Sequence, residues 1–443
     1  MATPIGICVL GHGVVGGGVR RILREQGDLL LGRTGLAFDL RHVVVRDIAK
    51  HAQHADLPLT TDAEGAISDP AVKVVIELMG GTGRAGELVE KALRAGKAVV
   101  TANKSLLASR GRELFALARQ NKTCIAFEAS CGGGIPIIQA LMQGLVANRI
   151  DDLVGIVNGT CNFILTKMTK NGWGYDQALA EAQRAGFAEA DPTMDVSGRD
   201  AAQKLALLSG LAFDVSVRES DIHVEGIDTL QDIDIRFARE LGYVIKLLAI
   251  ASRTGHEQQG SLTLRVHPTL VHKNDVLAEV SGSFNAISVY GSALGHALFY
   301  GRGAGQMPTA SAVVSDLVSV GLGIAQRSFE QLRIFADGVQ PAKILDFEQL
   351  QSRYYLRLTA RDEPGVIARV TRILGEHGIS LSAILQHETN DTNLVPVVIT
   401  THLAREGAVK SALEEIDRLG VVQPPTARLR IIDPPKEFGA GNG

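Results

Sequence analysis

The chain is short of the features that mark secreted, membrane-spanning and nucleic-acid-binding proteins. It has four cysteines, Cys8, Cys124, Cys131 and Cys161, with no Cys-x-x-Cys pair among them. That excludes a disulfide framework and predicts free thiols in a reducing compartment. No apolar run is long enough to span a bilayer. The amino terminus runs straight into a strand-like segment without signal-peptide architecture, so a cytoplasmic location is expected. An excess of one charge is missing too. The 45 basic and 48 acidic residues give a net charge of −3, which offers no footprint for nucleic acid or an anionic membrane. There is no solenoid repeat, and only the tail from Pro434 to Gly443 has the composition of a disordered segment. What remains is 443 residues, 45% hydrophobic and 21% charged. That is the profile of a soluble globular enzyme of two or three domains.

What is present begins at the amino terminus. Pro4 to Leu10 is a short run rich in strand formers. Gly11-His-Gly-Val-Val-Gly16 follows directly, and a helical pattern runs on to Glu25. In this strand–GxGxxG–helix order, Gly11 permits a tight turn, Gly13 lets the backbone approach a pyrophosphate, and Gly16 lets helix and strand pack closely. The N–H groups at the helix start, at Val14 and Val15, then meet the phosphate charge. The second strand, Arg41–Val45, leads to Arg46, Asp47 and Lys50. An acid at this point binds the ribose 2′-hydroxyl of NAD, and an arginine accommodates the 2′-phosphate of NADP. Arg46 comes first and favours NADP, with Lys50 nearby; Asp47 leaves NAD open. Two further βα units follow. The strand Val72–Leu78 ends in Met79-Gly-Gly-Thr-Gly83, which contributes Thr82 to the cofactor side. The strand Lys97–Thr101 ends in Ala102-Asn-Lys104. Lys104 falls at the carboxyl end of a parallel strand, where ligands bind in such sheets. A strand over Cys124–Glu128 and a helix over Ile137–Leu145 are also expected.

The segment from Ala188 to Lys204 is the richest in chemistry. It carries Glu189, Asp191 and Asp195 in a loop broken by Pro192 and Gly198, then Asp200 and Lys204 four residues apart on one helix face. Fixed negative charge for an amine, next to one cationic acid near the reacting carbon, is the mixture needed by a site that binds an ammonium group and protonates a developing alkoxide. Taken alone, the same residues also describe a capped helix with a surface ion pair.

Together these segments resemble homoserine dehydrogenases. The matching motifs are Gly11–Gly16, Thr101–Lys104, Glu128-Ala-Ser-Cys-Gly-Gly-Gly-Ile-Pro136, Asn158-Gly-Thr160, Glu189–Lys204 and Gly301-Arg-Gly-Ala-Gly-Gln-Met-Pro-Thr-Ala-Ser311. They occur in family order. The resemblance implies reduction of L-aspartate 4-semialdehyde to L-homoserine with NADPH or NADH. It makes Lys204 the proton donor, Asp200 its positioning acid, and Lys104 a lysine between nicotinamide and substrate. Glu189, with Asp195 and Asp191, would bind the substrate ammonium. Gly303 belongs to a loop that closes on the cofactor. A sodium or potassium ion would be held by Glu128, Cys131, Gly133 and Ile135, mostly through backbone oxygens, so cysteine at a position often valine leaves the site intact. The chain would be a homodimer or homotetramer.

Beyond residue 350 the pattern is strand, turn, helix, two strands, helix, strand, with Arg361-Asp-Glu-Pro-Gly365 as the first turn. This resembles the ACT domain, which implies an amino-acid effector, threonine first, near Asp362, Gly365 and Ile384. Deletion of residues 350–443 is expected to leave activity and abolish threonine inhibition. The fold class expected is α/β: a Rossmann-type domain, an α+β substrate and dimerisation domain, and a ferredoxin-like βαββαβ ACT domain. The boundaries are 1–135 with a returning helix at about 305–335, 136–304, a linker at 336–352, 353–432, and a flexible tail at 433–443. Two other readings compete. Ser130-Cys131 after a strand superficially resembles a cysteine-dependent semialdehyde dehydrogenase, but no histidine base is paired with it by any motif. A non-catalytic amino-acid sensor leaves Glu189–Lys204 unexplained.

Overall fold

The computed structural model describes residues 4–54, 56–254, 260–332, 335, 340–387 and 394–433. The expected flexible tail, beyond Asp433, and the start of the expected linker, 336–339, lie outside them. The strands in chain order are β1 (Ile5–Leu10), β2 (Phe38–Val44), β3 (Leu59–Thr60), β4 (Val72–Glu77), β5 (Ala98–Thr101), β6 (Ile125–Ala126), β7 (Ile150–Ile156), β8 (His223–Val224) and β9 (Tyr243–Arg253). Then come β10 (Leu262–His272), β11 (Phe284–Gly291), β12 (Gly295–Arg302), β13 (Gln351–Arg361), β14 (Leu381–Gln386), β15 (Leu394–Thr401), β16 (Ala404–Arg405) and β17 (Val422–Ile432). Two compact units interleave along the chain: residues 1–159, 201–222 and 284–342 form one, and 160–200, 223–283 and 343–443 the other. The middle of the sequence is therefore shared between the units and does not form one block from 136 to 304.

The first unit holds a parallel six-stranded sheet in the order β3-β2-β1-β4-β5-β6. That is the doubly wound dinucleotide-binding order, which reverses between β1 and β4. Helices cover both faces, so the strands read as nearly unbroken apolar runs; in β4 only Lys73 is exposed. The chain returns through the helix Gln306–Gly321, which packs on the first helix, Val14–Glu25. A Cβ at Gly18 would fall 2.8 Å from that of Ala310, so glycine sets the approach of the two helices. The strand expected over Cys124–Glu128 shrinks to Ile125–Ala126, because Glu128–Ser130 form a 3-10 turn. The helix expected at Ile137–Leu145 is one α-turn followed by a π-turn at Ala140–Gly144. A second, antiparallel sheet pairs β7, β11 and β12.

The second unit is built on the strands β9-β10-β17-β13-β15-β14. β9 runs antiparallel to β10 along eleven residue pairs and occupies one edge of it. The other edge is shared: β8 pairs with Arg265 and Val266, and β17 runs parallel to Thr269–Val271. The carboxyl-terminal βαββαβ module thus has its own core around Tyr354, Leu356, Val370, Leu374 and Val409, yet its last strand belongs to the same sheet as β9 and β10. Part of the expected linker is also tied down. Leu262 N–H donates to Lys343 O, and Leu345 N–H to Leu262 O, at 2.8 and 2.9 Å.

One buried charge in this unit has a testable consequence. Lys246, 2% exposed on β9, gives its ammonium to Val280 O at 2.5 Å and Asn162 Oδ1 at 3.3 Å. Burial first, then Lys170, lowers its pKa from 10.5 to about 8, against a smaller raising effect of Glu279. The folded state therefore binds fewer protons than the unfolded chain between these values. The penalty, on the order of 3 kcal/mol, is full below about pH 8 and is relieved as pH rises toward 10.5. Lys246→Met is expected to be at least as stable as the parent at pH 7, with the gap closing by pH 10. Paired melting curves at the two pH values check this; a clear loss of stability at pH 7 refutes it.

Candidate active site

In the first unit the dinucleotide motif has the conformation its glycines require. Gly11 has φ +99°, and a Cβ there would lie 3.0 Å from Leu78 O. A Cβ at Gly16 would lie 2.5 Å from Gly11 O. Gly13, the N-cap of the first helix, has open space where a Cβ would be, which is room for a pyrophosphate against the N–H groups of Val14 and Val15. Beyond β2, Arg46, Asp47 and Lys50 are all exposed. One oxygen of Asp47 accepts from Ala49 N–H at 3.0 Å and caps the next turn. Thr82 is exposed in the loop after β4.

That loop is shaped by a residue the sequence did not flag. Glu77, fully buried at the end of β4, accepts from Met79 N–H and Gly80 N–H at 2.8 and 3.0 Å through one oxygen, and from Thr101 Oγ1 at 2.7 Å through the other. Thr101 in turn accepts from Asn103 N–H. The Asn103 amide donates to Gly81 O at 2.7 Å, and its oxygen caps the helix Lys104–Gln120 through Leu106 N–H. The motif Thr-Ala-Asn-Lys is therefore a scaffold that starts a helix with Lys104 as its first residue.

Lys204 lies on the helix Arg199–Phe213, one turn after Asp200, as expected. Its Nζ donates to Val157 O, just beyond β7, at 2.7 Å. One residue from each lysine, Ser105 Oγ donates to Gln203 Oε1 at 2.9 Å. That bond ties the first turn of the Lys104 helix to the Lys204 helix. Asp200 is 8% exposed.

The Glu128–Pro136 segment is buried and tightly turned. Gly132 and Gly133 have φ +73° and +55°, and a Cβ at Gly133 would lie 2.6 Å from Gly303 O. Glu128 accepts from Ile138 N–H and Gln139 N–H, both at 2.8 Å. Burial pushes its carboxyl up to about 7 against those two bonds. Burial also raises Asp316, which accepts from Glu128 N–H. Ile135 and Cys131 are buried; the Cys131 thiol points to Lys204 O at 4.0 Å. Gly303 packs flat on the amide of Asn285, whose nitrogen and oxygen have no partner among the described residues although the residue is 1% exposed. A turn offering main-chain oxygens, with an orphaned buried amide beside it, suits a hard monovalent cation. Among the described residues no group of three His, Cys, Asp or Glu side chains is placed to hold a metal.

In the second unit the acidic segment is more ordered than its proline and glycine suggest. Thr193–Val196 form a short helix. Asp191 caps it, accepting from Thr193 N–H and Oγ1 at 3.1 and 2.6 Å, and these bonds lower its pKa. One oxygen of the exposed Asp191 is thus engaged with Thr193. Glu189 is exposed; its carbonyl accepts from Gln183, and the preceding Phe187 O accepts from Thr160 Oγ1 at 2.7 Å. Asp195 is half-buried, and its carbonyl accepts from Cys161 Sγ at 3.2 Å. In the carboxyl-terminal module, Gly365 has φ +89° before the helix Val366–Glu376. Asp362 accepts from Gln386 of β14 at 3.3 Å. Ile384, also on β14, is 45% exposed at the sheet edge.

The chain is similar to known proteins along nearly its whole length. The homoserine dehydrogenase family model matches residues 136–318, the homoserine dehydrogenase NAD-binding domain residues 11–128, and the ACT domain residues 354–421. The homoserine dehydrogenase of Pseudomonas aeruginosa is 41% identical over 432 residues, 97% of this chain and 99% of that protein. That of Synechocystis is 42% identical over 441 residues, 98% of this chain and all of that one. The crystal structure of a homoserine dehydrogenase from Thiobacillus denitrificans superposes with a TM-score of 0.91 at 43% identity, covering 97% of this chain and 99% of that one.

Proposed function

Since the chain belongs to the homoserine dehydrogenase family, we propose specific roles for its residues in the NAD(P)-dependent oxidation and reduction that the family performs. The substrate pair is L-homoserine and L-aspartate 4-semialdehyde. Bound nicotinamide supplies or accepts the hydride. In the reducing direction Lys204 Nζ, as ammonium, gives a proton to the carbonyl oxygen as that oxygen gains charge; in the oxidising direction the neutral amine takes the hydroxyl proton. Lys104 orients the same oxygen, and Asp200 positions Lys204. Glu189 and Asp195 bind the substrate ammonium. The observation that carries this reading is the Ser105–Gln203 bond, which joins the lysine-bearing helices beside both lysines. Cysteine chemistry finds no support, because Cys131 is buried with its thiol directed at a main-chain oxygen.

Glu128, Cys131, Gly133 and Ile135 would hold a sodium or potassium ion, chiefly through main-chain oxygens. Asp362, Gly365 and Ile384 would form part of an amino-acid effector site, for which threonine is the first candidate. The chain acts as a homodimer or homotetramer in the cytoplasm. The place of β14 at the end of its sheet, paired with β15 alone among the described residues, supports a role for copies of the module in that assembly.

NADP(H) is the preferred cofactor, because Asp47 is engaged in capping while Arg46 is exposed beyond β2, a position from which an arginine accommodates a 2′-phosphate. The test is homoserine-dependent reduction of NADP⁺ and NAD⁺ side by side with potassium present. Turnover is expected with a preference for NADP⁺. Arg46→Ala should lower kcat/KM for NADP⁺ roughly tenfold and barely change that for NAD⁺. Equal losses with both cofactors would remove Arg46 from the site.

A further inference from the structure

A cluster of charge around the buried Arg430 and Glu406 joins the carboxyl-terminal module to the segment behind the acidic loop. Glu225, just beyond β8, lies on the edge of β10 that β17 also occupies. Its carboxylate takes both terminal nitrogens of Arg430 at 2.8 and 2.9 Å, and His223 Nε2 at 2.8 Å. Arg428 approaches the same carboxylate at 3.4 Å. On its other side Arg430, 1% exposed, is gripped by Glu406 at 2.7 and 2.8 Å, and Tyr354 OH donates to that carboxylate at 2.8 Å. The Phe347 ring stacks on His223 and lies under the Arg430 guanidinium. Two arginines and two glutamates neutralise one another. Burial acting alone would raise the Glu225 carboxyl, but His223 and Arg430 hold it below the usual range.

The backbone that carries Glu225 braces the helix Thr193–Val196. Glu225 N–H donates to Val266 O, and Ile227 N–H to Val196 O, both at 2.8 Å. The contact leaves no room for a methyl group. A Cβ at Gly226 would lie 2.4 Å from Val196 O and 2.9 Å from Ser197 Cα. A Cβ at Gly198, which has φ +83°, would lie 3.1 Å from Val224 and 3.3 Å from Glu225 O. Moving Glu225 therefore moves the turn that presents Asp195.

We infer that Glu225, held by Arg430 and Arg428, is a positioning residue for the substrate loop: it fixes the Thr193–Val196 turn and so the placing of Asp195. The inference rests on the proposed role of Asp195 toward the substrate ammonium. Stability alone is a poor reason for the cluster, since buried ion pairs are commonly no better than apolar side chains of the same volume. Their gain is fixed geometry. The C-terminal strand thereby gains a mechanical hold on substrate affinity.

The test compares Glu225→Gln, Gly226→Ala and Asp195→Asn in the full-length enzyme, by KM for homoserine, KM for NADP⁺, kcat and Tm. Glu225→Gln keeps one accepting oxygen and removes the charge; Gly226→Ala pushes directly on Val196 O and reports even if the first variant fails to fold. Both should raise KM for homoserine roughly tenfold, with KM for NADP⁺ unchanged within about twofold. Glu225→Asp should recover part of the loss. A lowered Tm with an unchanged KM for homoserine in both positioning variants, while Asp195→Asn raises it, overturns the inference. A raised KM in those variants with Asp195→Asn silent keeps the positioning of the loop and overturns the role of Asp195. A flat KM in all three overturns both.

Discussion

Lys204→Met is expected to lower kcat by roughly 10²- to 10⁴-fold, with KM for homoserine changed little. The ammonium sits on the second turn of a long helix and is anchored to Val157 O at 2.7 Å. Its position is therefore set before substrate arrives, which is the condition under which a proton donor contributes to the barrier and not merely to binding. Methionine keeps the length of the side chain and most of its apolar contacts, and leaves the Ser105–Gln203 bond untouched. A fall in stability thus separates from a fall in turnover, and a melting curve beside the kinetics shows which has occurred. If the donor role is right, Lys104→Met should cost less in kcat, because Lys104 orients the oxygen without supplying the proton. A Lys204 variant that keeps kcat within about tenfold of the parent would transfer the donor role to Lys104.

The elements that read clearly from sequence are those whose signal is local. Gly11, Gly13 and Gly16 each answer a steric demand within a few residues, and all three sit where the motif predicts. Asp200 and Lys204 share a helix face as their spacing requires. The successive βα units and the βαββαβ module likewise follow from short apolar runs between turns. What was illegible depends on residues far apart in the chain. Glu77 looks like the polar end of an apolar strand, and only its bond to Thr101, 24 residues on, makes it the organiser of the cofactor loop. Glu225 and Arg430 are separated by 205 residues. Nothing around either one marks it as half of a buried pair. The strands Tyr243–Arg253 and Gly295–Arg302 escaped notice. In the first the apolar run is nearly continuous and suits a buried helix equally well. Asp191 shows a local signal of another kind: its i, i+2 relation to Thr193 is a turn-capping pattern, and the bonds are present.

Deleting residues 350–443 is expected to abolish soluble, active enzyme and not to leave a desensitised one, contrary to what an independent module would allow. β17 pairs Arg430, Ile431 and Ile432 with Thr269, Leu270 and Val271 of β10. Its removal uncovers Leu270 and Val271, both at most 1% exposed, and frees an unpaired edge on a long strand. Two carboxylates also lose their partners. Glu225 loses Arg430 and Arg428, while Asp234, 2% exposed, loses Arg357 at 2.6 Å and Tyr355 OH at 3.0 Å. Losing these guanidinium partners together with the strand removes both hydrogen bonding and packing that hold this unit folded. The check is the soluble yield and homoserine-dependent turnover of the chain ending at Gln349, beside the full-length protein. A soluble fragment with near-parental kcat would show that β8, β9 and β10 stand without β17. The effector proposal needs a gentler probe, because loss of inhibition in a collapsed fragment says nothing about a binding site. Asp362 lies on the exposed turn, where its carboxylate accepts from Gln386, and Asp362→Ala removes that one bond. In the intact enzyme it should raise the threonine concentration needed for half-inhibition roughly tenfold. Undiminished sensitivity in that variant would move the effector away from this turn, while the reading of β17 as part of the catalytic scaffold would stand.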